Sequence, residues 1–594
     1  MLSYKAPLRD MRFIFDEVLD GSRLQALSGF EEVDPDTVEA ILEEAGKFCE
    51  NELLPLNRDG DEEGCRWEGG RVTTPKGFKE AYRSLCESGW NSIAMDADYG
   101  GQGLPKTLHL MIDEMICSTN LSFSLYPGLT NGAYAALATY ASDEIKETYF
   151  PRMADGTWSA SMCLTEPHCG TDLGLLRTRA VPQDDGSYRI SGTKIFITAG
   201  EHDLTDNILH LVLARTPDAP KGIKGISLFL VPKILVGDDG SPGEANGVTC
   251  GSIEHKMGIK ASATCVLNFD DAKGFLIGDL NRGMRAMFKM MNTERVAVGV
   301  QGLGISEAAY QAAVGYARER IQGRALTGAK QPDMAADPLI VHPDVRRMLL
   351  TVRANTEGCR ALAIWLGMQL DISVHEQDAG KRQEAEDLVA LLTPVAKAYL
   401  TDVGFESAVL GQQVFGGHGY IREHGMEQLV RDARIAQIYE GANGIQAMDL
   451  VGRKLPAEGG RYLDRYFALI GAFINEYKSE GVLEEFVQPL VQAFGHLHEA
   501  TDWLSRSAVE NADEIGAAAY DYLCLIGQVT LALLWVQMAK TALAKQAESG
   551  EVFYRTKLKT ARFYMRRLLP QTQSLLASIK SGAASLMEFD EEEF

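Results

Sequence analysis

YRISGTKIFIT, residues 188–198, is the stretch on which the fold turns, because here a helical period gives way to a short run rich in β-branched and aromatic residues. Runs of the same kind recur at 208–215, 226–232 and 264–269, punctuated by Gly, Asp and Pro. They follow one another without intervening helices, which favours an antiparallel barrel or meander over a doubly wound parallel sheet. Within the first run, Phe196 and Thr198 stand two apart and so share one face of the strand.

Outward from this β region the pattern is helical on both sides. Upstream, Asp34 and Pro35 read as an N-cap and first helical position, followed by Val38, Ile41, Leu42, Ala45 and Cys49 at helical spacing, with Leu53, Leu54 and Pro55 ending the helix. Downstream, long helical patterns run through 296–321, 344–370 and 384–410, and a second all-helical region follows. The expected fold is mostly α with a central antiparallel β domain. Its expected segments are a helical domain at 1–156, the β domain at 157–278, a helical bundle at 279–455 and a helical extension at 456–594. At about 150 residues per domain, 594 residues suit four such regions.

A formal net charge of -24 excludes a nucleic-acid binder, which needs a basic stripe, and opposes adsorption to anionic lipid. An anionic ligand such as a nucleotide or CoA is still admissible, since local cations and helix N-termini hold it. The ten cysteines form no CxxC pair, so neither zinc nor a disulfide framework is indicated, and no metal is expected. With no secretory or transit pattern in MLSYKAPLRDMRF, a cytoplasmic location is expected. Residues 522–539 carry no formal charge but include Gln528, Thr530 and Gln537, and read as a buried helix rather than an integral membrane span.

Phosphate-loop, HExxH and GxSxG signatures are absent. His496 and His498, two apart on a helix, would point to different faces and make a poor metal site. Four other segments carry a chemical signal: MCLTEPHCGTD at 162–172, SGTKIFITAG at 191–200, YARER at 316–320, and QVFGGHGYIREHGMEQLVRDARIAQIYEGANGIQ at 413–446. In this order they resemble the acyl-CoA dehydrogenase family over about residues 30–455. The added helices after about 460 resemble its long bacterial form, which includes dehydrogenases of fatty acyl-CoA and of 3-methylmercaptopropionyl-CoA.

The resemblance implies FAD as cofactor and α,β-dehydrogenation of an acyl-CoA to its trans-2-enoyl product. Leu164, Thr165, Gly170, Thr171, Phe196 and Thr198 match positions that contact the flavin; Phe196 stands where Trp is common, so that ring's hydrogen bond is lost. Arg320, Gln413 and Gly417 match contacts to the FAD of a neighbouring subunit, which implies an oligomer, and Ala442 joins the cofactor set. Arg295, Tyr439 and Gly441 are the implied substrate contacts. Glu440 of IYEG is the implied base, because removing a weakly acidic α-proton needs a carboxylate beside it and donors for the developing enolate oxygen. Some relatives place the base at a position matching Glu294, which here is also glutamate. Electron-transfer flavoprotein is the implied acceptor, with oxygen, as in an acyl-CoA oxidase, the alternative; by analogy the extra helices leave a homodimer.

Overall fold

The computed structural model describes residues 3–237 and 240–594. Its packing divides into two compact units that are interleaved in sequence. One comprises the chain up to Gly46 with Lys106–Ser118 and Val298–Phe594; the other comprises Lys47–Pro105 and Thr119–Ala297.

The second unit holds the seven-stranded sheet. Its strands are β1 Trp158–Cys163, β2 Arg179–Pro182, β3 Tyr188–Thr198, β4 Asn207–Ala214, β5 Ser227–Pro232, β6 Val248–Ile253 and β7 Thr264–Ile277. They lie in the order β1-β4-β5-β7-β3-β2, with β6 on β7. Every pair is antiparallel except β1 with β4, which run parallel from Trp158 beside Asn207 to Cys163 beside Val212. The expected antiparallel sheet is thus corrected to a mixed one. Between β1 and β4 the chain detours through β2 and β3, long enough to re-enter at the same end, as a parallel pair requires.

Strand β4 is buried at every position, so apolar residues stand on both of its faces rather than alternating with exposed polar ones, and its polar residues Asn207 and His210 are buried too. Its residues nevertheless split by parity: Leu209, Leu211 and Leu213 join a core with Trp158, Tyr134 and Phe150, while Val212 and Ala214 join another with Phe229 and Val231.

In the first unit, helices Pro343–His375 and Ala379–Phe415 form a long pair. Asp378 caps the second by accepting from the N–H groups of Gly380 and Lys381. Helix Gly283–Glu319 approaches Ala379–Phe415 so closely that a Cβ on Gly302 would collide with the Leu400 carbonyl, and one on Gly404 with Gly302 itself. Upstream, Asp34 accepts from the Thr37 N–H at 2.7 Å and Pro35 opens the helix as expected. Pro55 does not end it: a π-helical turn at Cys49–Leu53 leads into helix Leu54–Glu63, where Pro55 sits in the first turn and needs no N–H partner.

The charge-free stretch lies within helix Asp513–Ser549, whose most apolar window is 89% buried. Trp535 donates to the Ala354 carbonyl at 3.1 Å, and Gly527 admits the Tyr399 ring. Nearby in the same unit, Arg360 pairs with Glu114, Glu307 and Asp10, and Lys557 pairs with Glu357 at 2.7 Å and with Asp10. Burial, with Glu307 and Asp10 close by, lifts the Glu114 carboxyl to about 7 in spite of Arg360. His496 bonds Thr572, and His498 packs on Phe467 and Phe494.

Candidate active site

The β3 and LTEP segments meet in one place. Ile195 N–H donates to the Thr165 carbonyl at 2.9 Å, and the ammonium of Lys194, fully buried, donates at 2.9 Å to both the Leu164 carbonyl and Glu166 Oε1. Glu166 also accepts from the N–H groups of Arg177 and Thr178 and from the Thr178 hydroxyl. Burial pushes this carboxyl up, but Lys194 and these donors hold it below its ordinary range. The ion pair therefore welds the loop carrying Leu164, Thr165, Gly170 and Thr171 to the strand carrying Phe196 and Thr198. The sequence reading passed over Lys194 and Glu166; a lysine inside an otherwise apolar strand motif was the signal.

Opposite Lys194–Ile197 the ladder to β7 slips between Cys265 and Leu267, a bulge that places Phe196 at φ 60. Its ring is 59% exposed, Ile197 is buried, and Thr198 shares the open face. The hydroxyls of Thr165, Thr171 and Thr198 have no hydrogen-bond partner among the described residues. Glu294 and Arg295 belong to the same unit, on helix Gly283–Glu319. Glu294 is 4% exposed, and its carboxylate fills the space over Gly132.

The first unit holds the remaining site residues. Helix Met426–Ala436 ends in a short loop, and Glu440 and Gly441 follow at φ 55 and φ 85 before Ala442 caps helix Asn443–Asp449. An L-residue in the left-handed region persists only where its surroundings over-determine it. Here they do. Gln446 Nε2 donates to the carbonyls of Glu440 at 3.0 Å and Gly441 at 3.2 Å, and the buried Lys397 ammonium donates at 2.9 Å to the Gly441 carbonyl and to Asn443 Oδ1. The Asn443 amide donates to Asp402 at 2.7 Å, as does Gln437 from the other side of the loop. Tyr439 hydrogen-bonds Gln301, and Glu440 is half-buried.

YARER and QVFGGHG also converge. Tyr316 stacks on Phe415 with ring centroids 4.1 Å apart, and its hydroxyl bonds His418 Nδ1 at 2.8 Å. Gln413 and Gly417 are exposed beside this stack. Arg320, expected inside a helix, lies one residue past the end of Gly283–Glu319, its N–H still donating to the Tyr316 carbonyl and its side chain exposed.

Family models match the chain in order: "Acyl-CoA dehydrogenase, N-terminal domain" over 35–157, the middle domain over 161–272, the C-terminal domain over 281–455, and "Acetyl-CoA dehydrogenase C-terminal like" over 466–590. The 3-methylmercaptopropionyl-CoA dehydrogenase of Ruegeria pomeroyi is 44% identical over 591 residues, spanning 99% of each chain. The chain belongs to the acyl-CoA dehydrogenase family. A butyryl-CoA dehydrogenase of Syntrophomonas wolfei is 35% identical over 610 residues, 100% of this chain and 99% of that one. The fold is shared with an acyl-CoA dehydrogenase of Bacillus anthracis solved with FAD, at a TM-score of 0.75 and 20% identity, over 96% of this chain and 91% of that one.

The protein is accordingly an oxidoreductase acting on the CH–CH bond of an acyl-CoA thioester, with FAD as cofactor. The residues present fit FAD: β3 and the loop held to it carry three threonine hydroxyls with unspent bonding capacity and an outward aromatic ring.

Proposed function

We propose that Glu440 takes the α-proton of a short acyl-CoA thioester whose tail is a straight chain or a methylthio group. The feature that carries this reading is the clamp on its loop: left-handed backbone at Glu440 and Gly441, with both carbonyls held by side chains. The α-hydrogen passes to the Glu440 carboxylate as a proton while its C–H electron pair stays on carbon as the new π bond, the β-hydrogen leaves with its own electron pair, and a trans double bond remains. FAD, when bound, supplies the acceptor for that hydride. Leu164, Thr165, Gly170, Thr171, Phe196 and Thr198 hold the flavin face, with Ala442 joining the cofactor contacts. The Glu440 N–H polarises the thioester carbonyl, while Arg295, Tyr439 and Gly441 line the thioester's path. Glu294, closed over Gly132, has a packing role instead.

The substrate class rests on relatives named for 3-methylmercaptopropionyl-CoA and butyryl-CoA. Electrons then pass to electron-transfer flavoprotein, in keeping with dehydrogenase rather than oxidase relatives. Arg320, Gln413 and Gly417, exposed beside Tyr420 and Ile421, would reach the FAD of a second copy in a homodimer. Ten cysteines with no disulfide among the described residues suit a reducing cytoplasm. The consecutive model matches support reading the chain as 1–156, 157–278, 279–455 and 456–594.

The test is anaerobic flavin bleaching by butyryl-CoA and by the methylthio thioester, in Glu440→Gln and Glu294→Gln separately. Glu440→Gln should retain FAD and fail to bleach. Bleaching lost only in Glu294→Gln transfers the role to that residue, and a tetrameric mass in solution contradicts the dimer.

A further inference from the structure

The helices after residue 460 are more than cover. Helix Asp513–Ser549 packs along helix Asn443–Asp449, directly behind the loop of the base, and Tyr520 on it donates its hydroxyl to Asp402 Oδ2 at 2.6 Å. The other oxygen of that carboxylate, Asp402 Oδ1, receives Gln437 and Asn443, both at 2.7 Å, from the two sides of Tyr439–Ala442. Asn443 in turn shares the Lys397 ammonium with the Gly441 carbonyl.

We propose that Tyr520 is a positioning residue for the dehydrogenation: it orients Asp402, which spans the loop of Glu440 and fixes the base. The C-terminal extension thereby belongs to the catalytic apparatus. This rests on the reading of Glu440 as the base.

The chemistry of the contact suits the task. A phenol donating to a carboxylate makes a short, strong bond, and with Oδ2 so engaged Asp402 cannot rotate to break its bonds from Gln437 and Asn443. Burial, reinforced by the Asp402 charge, pushes the Tyr520 phenol up, so it stays a donor throughout the working pH range. Yet Tyr520 is 44% exposed, more than core packing alone would ask of a tyrosine. A base misplaced by a fraction of an ångström loses rate without losing substrate.

The experiment compares Tyr520→Phe, Asp402→Asn and the double variant as FAD-loaded enzymes, by stopped-flow bleaching with butyryl-CoA and with its α-deuterated form, each rate taken per bound flavin. In Tyr520→Phe the limiting rate should fall about ten-fold, the worth of one charge-assisted hydrogen bond, with the half-saturating concentration unchanged and the α-deuterium effect retained. In the Asp402→Asn background the same change should have no further effect. Rates equal to wild type, effects that add in the double variant, or a fall that disappears once counted per bound flavin would each overturn the proposal. Glu440→Gln, run alongside, separates the two ideas: if it bleaches normally the base reading fails, whereas an inactive Glu440→Gln beside an unaffected Tyr520→Phe removes Tyr520 alone.

Discussion

Two loops of this enzyme are each pinned by a buried lysine that donates to a backbone carbonyl, and they differ in what answers the charge. At the LTEP loop, Lys194 meets Glu166 directly. At the loop of Glu440, Lys397 donates to the Gly441 carbonyl and to Asn443 Oδ1, and Asn443 in turn donates to the Asp402 carboxylate. An ion pair is rigid and costly to break because either partner left alone is a stranded charge. The Gly441 carbonyl and the Asn443 amide instead hold the shape of their loop through bonds to neutral groups.

The largest way to break this contrast is Lys194→Met, which strands the Glu166 carboxylate and should cost about 3–5 kcal/mol in urea unfolding, with loss of bound FAD. Lys194→Met with Glu166→Gln should recover most of that stability. Next comes the many-membered cluster around Arg360. Because Glu114 is raised from 4.5 to about 7, the folded enzyme binds a proton that the unfolded chain has released. Its contribution is fully present below 4.5 and disappears as pH climbs through 7; unfolding of wild type against Glu114→Gln over that range should show the difference falling by about 3 kcal/mol.

Lys397→Met takes one donor each from the Gly441 carbonyl and Asn443 Oδ1 and should cost about 1–3 kcal/mol, while bleaching slows more than its stability loss suggests, because the backbone beside Glu440 loosens. The smallest effect belongs to Phe196→Trp on the exposed bulge. Unfolding should move by less than about 0.5 kcal/mol, and flavin retention should hold or improve as the ring regains an N–H donor.

Much of the candidate site could be named from the sequence for a simple reason: the residues of each motif are local in the chain. LTEP and KIFIT could be placed on a turn and a strand, and the structure shows them joined by Ile195 to Thr165. What escaped depends on partners far away in sequence. Asp402 carries no motif of its own, yet it gathers Gln437, Asn443 and Tyr520. The parallel pairing of β1 with β4 is equally silent, since strand composition reports burial and not direction. Pro55 misled for a local reason: a proline that ends one helix and a proline that starts the next read alike when a single turn separates them.

The contacts of Asp10 and its neighbours bear on how the chain is made. Asp10 pairs with Lys557, Arg9 donates to the Tyr554 hydroxyl across 545 positions, and that hydroxyl donates to Glu17 across 537. On the ribosome, this upstream segment must therefore wait, its basic and aromatic partners unmet, until more than five hundred further residues have been translated. The sheet can be completed long before then from residues that emerge together, so biosynthesis of this enzyme has an early and a late stage, and the Glu440 loop, backed by Tyr520 through Asp402, is finished only in the second.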